Sequence, residues 1–396
     1  MAFVAVYAAR LGATGFQISL LSAGPAVVNL LFSLPAGKWL TGHTLTQVSF
    51  QTAGLTRLGY LFLIPLPLLL PSTIQIWIII LITLVMAIPG TVLSIAFNSV
   101  LAELIPPEDR ATVIGRRNAL TSLTMTLTAL SSGQILDLLD YPVNYVIVFG
   151  LGTLGSIYST YHLQKLKTPA SPPPTSPQPL GDLARPGQLR IVDSLRLPAG
   201  LRFLTRVPKP IYFRLDILRG PYGGFLAAYL FFYSCQYVPA AISPLYMVNN
   251  LDYTDGIISL GNSLFYVLMF ITSLRLSKLS ARFGHHKVLV IGSLLYCAYP
   301  IFISQAWDAT LYWAASFVGG IAWALTSGGL INRLMEVVPD DKRPAYMALH
   351  NLALNLGILV GSLTGPLLAN IVGLKEALLL AGILRFTAGF GLKKWG

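Results

Sequence analysis

The sequence predicts an all-α membrane protein made of two similar six-helix bundles. Three observations carry that expectation: a composition too apolar for water, apolar runs of membrane length at regular intervals, and an internal repeat. Of the 396 residues, 54% are hydrophobic and only 11% are charged, and the mean hydropathy is +0.67. A soluble chain of this size has too little interior to hide so much apolar surface, so lipid must solvate much of it. One crossing takes about 20 mostly apolar residues. Eleven such runs occur, at 17–37, 46–69, 74–102, 112–136, 143–163, 222–248, 256–276, 287–305, 310–335, 344–370 and 376–392. In hydrocarbon every backbone group must be satisfied internally, which leaves helices or closed barrels, and runs this long favour helices.

Taken in order, the chain opens with MAFVAVYAARL (1–11), apolar but too short to cross, then a polar turn and the first full run. The expectation is the end of a shortened first helix followed by eleven full transmembrane helices. Residues 1–163 then form one bundle and 222–396 the other. Between them, 164–221 reads as a linker. Its TPASPPPTSPQPLG (168–181) suits an extended spacer. The following stretch mixes Arg with Leu, Phe and Tyr, which suits a segment lying on an anionic membrane surface.

The net charge of +12 points to topology rather than to nucleic acid. With loops assigned alternately to two sides, one side holds Lys38, Arg110, Arg116 and Arg117, the linker's basic residues, Arg275 to Lys287, Arg333 to Arg343, and Arg385, Lys393 and Lys394. The other side holds only Arg10 and Lys375, and Arg57 lies in mid-span. Positive charge collects in cytoplasmic loops, so the linker and C-terminus are expected in the cytoplasm of a multi-pass plasma-membrane protein. Cys235 and Cys297 fall inside runs and read as small apolar residues. No metal-ligand spacing, nucleophile elbow or phosphate loop occurs, so neither a cofactor nor an enzyme activity is expected.

The repeat pairs AELIPPEDRATVIGRRNAL (102–120) with MEVVPDDKRPAYMALHNLAL (335–354). Glu103/Glu336, Pro106/Pro339, Arg110/Arg343 and Asn118/Asn351 keep one constant offset, 233 positions. Ser19/Ser259 and Lys38/Lys278 keep another, 240 positions. Small residues recur every four positions at Gly357, Gly361 and Gly365, with Thr124, Thr128 and Ser132 at the equivalent places, a spacing that lets membrane helices approach closely.

Two six-helix halves, a cytoplasmic central loop and basic loops after the second and eighth spans resemble the major facilitator superfamily. That family's loop motif is G-x-L-x-D-R-x-G-R-[RK]. Arg282, Gly284 and Lys287 match it, whereas Ser277 and Ala281 replace its Gly and Asp. In the first half Gly37 fits, but Thr41 and Gly42 stand at the Asp and Arg positions. The resemblance implies a monomeric secondary transporter moving a small organic solute, with or without a coupled proton, by alternating access around a midplane site. Export is the direction considered. The alternative is a transport-inactive relative acting as a sensor or assembly partner, favoured by the altered loop motifs.

Ionisable groups at membrane depth are costly and mark candidate sites. Arg57 lies near the middle of its run and reads as a substrate-binding or coupling residue, or as a structural arginine paired with carbonyls or a carboxylate. Arg117 and His350 occupy equivalent repeat positions. Each follows a loop arginine, Arg110 or Arg343, by two helical turns and precedes Asn118 or Asn351. Together with Glu103, Glu336 and Arg282 they make a gate or coupling cluster near the cytoplasmic boundary, where His350 can titrate near neutral pH. The run over 229–246 is aromatic, partly polar and kinked at Pro239. In the family resembled, that helix lines the cavity, which makes Tyr233, Gln236 and Tyr237 substrate-binding candidates, with Asn355, Asn98, Asn332 and Trp323 as further cavity candidates. Arg385 is expected to reach toward the inner headgroups.

Overall fold

The structure, a computed structural model, describes residues 2–40, 43–105, 110–165, 218, 220–338 and 343–396. Nearly all of the linker lies outside them. The described residues form α1 (Ala2–Arg10), α2 (Gly15–Leu40), α3 (Leu45–Leu63), α4 (Leu66–Leu69), α5 (Ser72–Leu104), α6 (Arg110–Leu138) and α7 (Val143–Gln164) before the linker. After it come α8 (Pro221–Tyr237), α9 (Pro239–Asn249), α10 (Asp255–Phe283), α11 (His285–Leu295), α12 (Ala298–Ser304), α13 (Ala309–Val337), α14 (Arg343–Val372) and α15 (Leu374–Trp395). No strand occurs among the described residues. With α3–α4, α8–α9 and α11–α12 each forming one broken rod, the eleven expected runs all appear. Nine are long and apolar enough to cross a membrane. The other two, α6 and α15, are diluted by hydroxyls and by charges such as Arg117 and Arg385.

The repeat survives in the packing. In the first bundle α2 packs on α5, α3 on α5 and α7, and α6 on α7. In the second, α10 packs on α13, α11 on α13 and α15, and α14 on α15, which is the same plan. The bundles meet through two antiparallel pairs that the repeat also relates, α2 with α14 and α10 with α6. Below, the end bearing the basic loops is the basic end, and the other is the distal end.

Two rods break where proline removes a donor. Pro239 opens α9 and Pro300 lies in α12, so carbonyls one turn earlier lose their helical partners. Arg385 of α15 bridges both breaks: its guanidinium donates at 3.5 Å to Tyr296 O, the carbonyl that Pro300 leaves without its helical donor, and at 2.7 Å to Gln236 O in the last turn of α8, and it stacks over the Tyr296 ring at 4.4 Å. The expected reach to the headgroups is therefore wrong. Arg385 is 4% exposed, because orphaned carbonyls inside the bundle outbid the membrane surface for its donors.

The glycine face of α14 lies against this broken rod. A Cβ on Gly361 would strike Ser234 O, and one on Gly365 would strike Val238 O. The matching stripe on α6 is not used that way. Thr124 and Thr128 are exposed, and α6 instead packs Thr126, Ala129 and Gly133 toward α10. The reason is the partner: by the 240-residue offset α1 corresponds to α9, and no described residue takes the place of α8 beside α6.

Gly361→Val should therefore force α14 away from α8 and cost about 3 kcal/mol or more. A thermal unfolding midpoint lowered by several degrees would report it. Gly152→Ala, where an added Cβ meets nothing, should leave that midpoint unchanged or slightly raised, since Ala favours the helix over Gly.

Candidate functional site

The two ends of the interface differ. At the distal end one apolar cluster runs through both bundles, joining Val6, Ala9 and Ile18 of the first to Ile242, Leu245 and Tyr312 of the second. Toward the basic end the clusters are separate. Tyr222, Tyr229, Leu334 and Leu349 belong to a cluster of the second bundle alone, and Leu40, Val48 and Ala96 to a small one in the first.

Charged and polar side chains reinforce the distal closure. Arg10, at the end of α1, donates to Tyr253 O and forms an ion pair with Asp255 at 3.5 Å. Tyr145 of α7 donates to the other Asp255 oxygen at 3.2 Å. Asp137, near the end of α6, accepts from Gly256 N–H at 2.9 Å and from Thr254 Oγ1 at 3.2 Å. That carboxylate sits on the N-terminus of α10, where free N–H groups favour negative charge. Tyr253, in the turn between spans, bonds Asp308 O. Burial first, and then Asp308, push its hydroxyl up to about 12, so it remains a neutral donor.

At mid-depth the interface is polar and uncharged. Thr91 Oγ1 donates to Asn29 Oδ1 at 2.6 Å, Asn29 Nδ2 to Asn355 Oδ1 at 3.2 Å, and Asn355 Nδ2 to Asn351 O at 2.9 Å. This chain crosses from α5 through α2 to α14. A small cavity of about 40 Å³ lies beside it, lined by Asn29, Ser33, Asn351 and Asn355. One turn away, Tyr233 and His350 are buried and joined at 3.2 Å between Tyr233 Oη and His350 Nε2. His350 Nδ1 and Tyr229 Oη have no hydrogen-bond partner among the described residues.

The sequence-derived candidates thus divide. Tyr233, His350, Asn351 and Asn355 come together near the seam. Gln236 and Tyr237 sit at the α8–α9 break, where Gln236 gives its carbonyl to Arg385 and leaves Oε1 without a partner among the described residues. Glu336 pairs with Arg333 at 3.1 Å and lies 3.9 Å from His285, while Arg282 rests over the Phe283 ring at 5.3 Å. The side chains of Glu103, Arg110, Asn118 and Arg343 lie outside the described residues. Arg57 and Arg117 are away from the seam, on a cavity inside the first bundle of about 540 Å³. Arg57 bonds Thr160 Oγ1, and Ser159 Oγ at 3.0 Å, so its partners among the described residues are hydroxyls. Sequence reasoning missed Asn29, Thr91, Arg10, Asp137 and Asp255. Asn29 lies in the first full run, and its depth there was the one available signal.

Two pseudo-symmetric helical bundles, sealed together at one end and polar in the middle, define a secondary transporter. The profile of the Major Facilitator Superfamily matches residues 1–235 and 224–393, and the chain belongs to that family. No curated protein matches it in sequence. Solved structures similar to it include a mutant of the nucleoside transporter NupG (TM-score 0.67, 11% identity), covering 100% of this chain and 94% of that one. A POT family transporter in complex with a thioalcohol-conjugated peptide gives TM-score 0.68 at 11% identity, covering 98% and 92%. The xylose transporter XylE from E. coli, in a partially occluded inward-open conformation, gives 0.64 at 12%, covering 96% and 86%. At these identities the likeness is one of fold.

Asp255→Asn or Arg10→Gln should loosen the distal closure by about 2 kcal/mol, roughly a thirtyfold shift in the opening equilibrium. The check is the labelling rate of a cysteine placed at Ser22, in the seam, by a membrane-impermeant thiol reagent added on the distal side. That rate should rise in both variants.

Proposed function

We propose that this chain carries a small, polar, uncharged organic solute through the seam between its bundles by alternating access, with its basic end in the cytoplasm of a plasma-membrane protein. One observation carries the reading: the apolar core is continuous across the bundles distally and divided at the basic end. Two rigid bodies joined at one end can rock to exchange which end is joined. In the arrangement seen, the seam would load from the cytoplasmic side, as an exporter's does at the start of its cycle. Cytoplasmic orientation rests on the skew of basic residues.

The residue types support the solute class. Asn29, Asn355 and Asn351 present amide donors and acceptors, and Tyr233 adds an aromatic face. Such a lining suits hydroxyls, amides and heterocyclic rings. The nucleoside, xylose and peptide carriers of like fold handle solutes rich in such groups. His350 is the candidate for proton coupling. It faces Tyr229 and Tyr233 of α8, with Asn351 beside it on α14, and among the described residues no carboxylate touches it.

Purified protein in proteoliposomes should show saturable flux of a labelled nucleoside, pentose or dipeptide. Asn355→Leu should cut that flux at least about tenfold by removing the acceptor of Asn29 Nδ2 and one amide of the lining. His350→Ala should flatten the pH dependence of the flux; an unchanged pH profile removes the proton role. A folded protein with no flux of any of the three classes favours the transport-inactive alternative.

A further inference from the structure

The amide chain at mid-depth runs in one direction, and a backbone atom fixes it. Asn355 Nδ2 lies 2.9 Å from Asn351 O, one turn back along α14. A peptide carbonyl can only accept, so the nitrogen of the Asn355 amide must face it. The Asn355 oxygen then faces Asn29, whose Nδ2 donates to it at 3.2 Å. Asn29 Oδ1 is left facing the Thr91 hydroxyl, which donates to it at 2.6 Å. Asn351 Oδ1 accepts from Asn355 Nδ2 as well, at 3.2 Å. Turning any one of these amides over would set nitrogen against nitrogen or oxygen against oxygen.

The donors and acceptors in this chain do not balance. All three amide oxygens hold a hydrogen bond, and both hydrogens of Asn355 Nδ2 are used. One hydrogen of Asn29 Nδ2 and both of Asn351 Nδ2 have no partner among the described residues. An oxygen with one bond is close to satisfied, whereas each N–H hydrogen needs an acceptor of its own. The Ser33 hydroxyl, on the same wall, donates to Asn29 O. Asn29 and Asn351 both border the cavity of about 40 Å³ between α2 and α14, beside Leu30 and Leu352, and no charged residue lines it. That volume has room for a functional group, not for a whole solute.

We propose that this cavity is a socket for a neutral carbonyl oxygen, so that the seam selects carbonyl-rich solutes of the cyclic imide or lactam kind over polyols. The inference rests on the seam being the transport pathway and narrows the solute class given for it. A carbonyl brings two lone pairs and no hydrogen, so it matches N–H groups on Asn29 and Asn351. A hydroxyl in the same place can accept, but its own hydrogen meets amide oxygens that are already engaged, and a polar group left without a partner weakens binding. A carboxylate would find no cation in the lining to balance it, and a charge taken from water without a partner is costly.

The test is the thermal unfolding of the full chain in nanodiscs, since a ligand held by the folded state raises its midpoint. The probe is N,N′-dimethyluracil, which has carbonyls but no N–H or O–H. It should raise the midpoint saturably, while xylitol and acetate are inert. Asn351→Asp keeps the oxygen that accepts from Asn355 and removes both free hydrogens, so the concentration giving half the shift should rise at least about tenfold. Gly152→Ala should respond as the wild type does. Should Asn351→Asp fail to fold, Asn351→Ala keeps the backbone carbonyl that fixes the chain's direction and should weaken the response as much. Flux in proteoliposomes separates the socket from the pathway. Pentose flux without a dimethyluracil response overturns the socket and leaves the transport reading standing. A dimethyluracil response weakened in Asn351→Asp, in a protein that moves no solute, supports the socket and removes the transport reading. No response to dimethyluracil, an equal response to xylitol or acetate, or a response of wild-type strength in the Asn351 variants overturns the proposal.

Discussion

A carbonyl that loses its helical donor inside a membrane has no water to turn to, and the second bundle is organised around that constraint. Pro239 and Pro300 break two neighbouring rods at similar depth. Arg385 bonds a carbonyl at each break, Tyr296 O below Pro300 and Gln236 O at the end of α8. One buried guanidinium thereby ties α8–α9, α11–α12 and α15 into a block. The charge itself is tolerated because carbonyl dipoles and the Tyr296 ring surround it. The glycine face of α14 can then lie directly on the broken rod, backbone to backbone, as membrane helices do where packing rather than hydrophobicity drives association. The distal turn holding Tyr253 and Asp255 follows directly from α9, so the closure there inherits the geometry of the kink.

The first bundle repeats the helix pairing but not this solution. It too has an arginine at depth, yet Arg57 turns to the hydroxyls of α7 and lines an open volume. In the second bundle α8 packs against α14 and α15. The equivalent pair in the first, α6 and α7, borders the basic cavity instead. One helix plan thus carries two arginines in different ways, one bonded to backbone carbonyls and one to side-chain hydroxyls.

Much of the fold was legible in the sequence, and less of the site. Run length and loop punctuation located every rod, since the membrane sets a minimum length that soluble chains rarely show. The offset repeat anticipated the matched pairing, and Gly357, Gly361 and Gly365 marked a close approach that the structure contains. Arg385 went astray because a sequence gives the depth of an arginine but not which carbonyls two distant prolines have freed. Asp137 and Asp255 stand at or near helix ends and carry no sequence motif that marks them. Their bonding partners lie more than 100 positions away, and helical periodicity says nothing about which end of which helix comes near. The Thr124/Thr128 stripe misled for a related reason. A stripe identifies a face able to pack, whereas packing also needs a neighbour.

The division of labour along the interface has a physical logic. The distal closure uses carboxylates, a guanidinium and a helix N-terminus, and bonds to charged groups are shorter and stronger than neutral ones. The mid-depth seam uses only neutral amides and hydroxyls, whose bonds between membrane helices are worth about 0.6 kcal/mol each on average. Weak neutral bonds can be exchanged for those of a polar solute with little net change, whereas charged ones would hold the bundles shut against it. A barrier built from charge at one end and a pathway built from amides in the middle therefore suit a protein that must open around its cargo, and the apolar cluster behind the closure keeps water from joining the two.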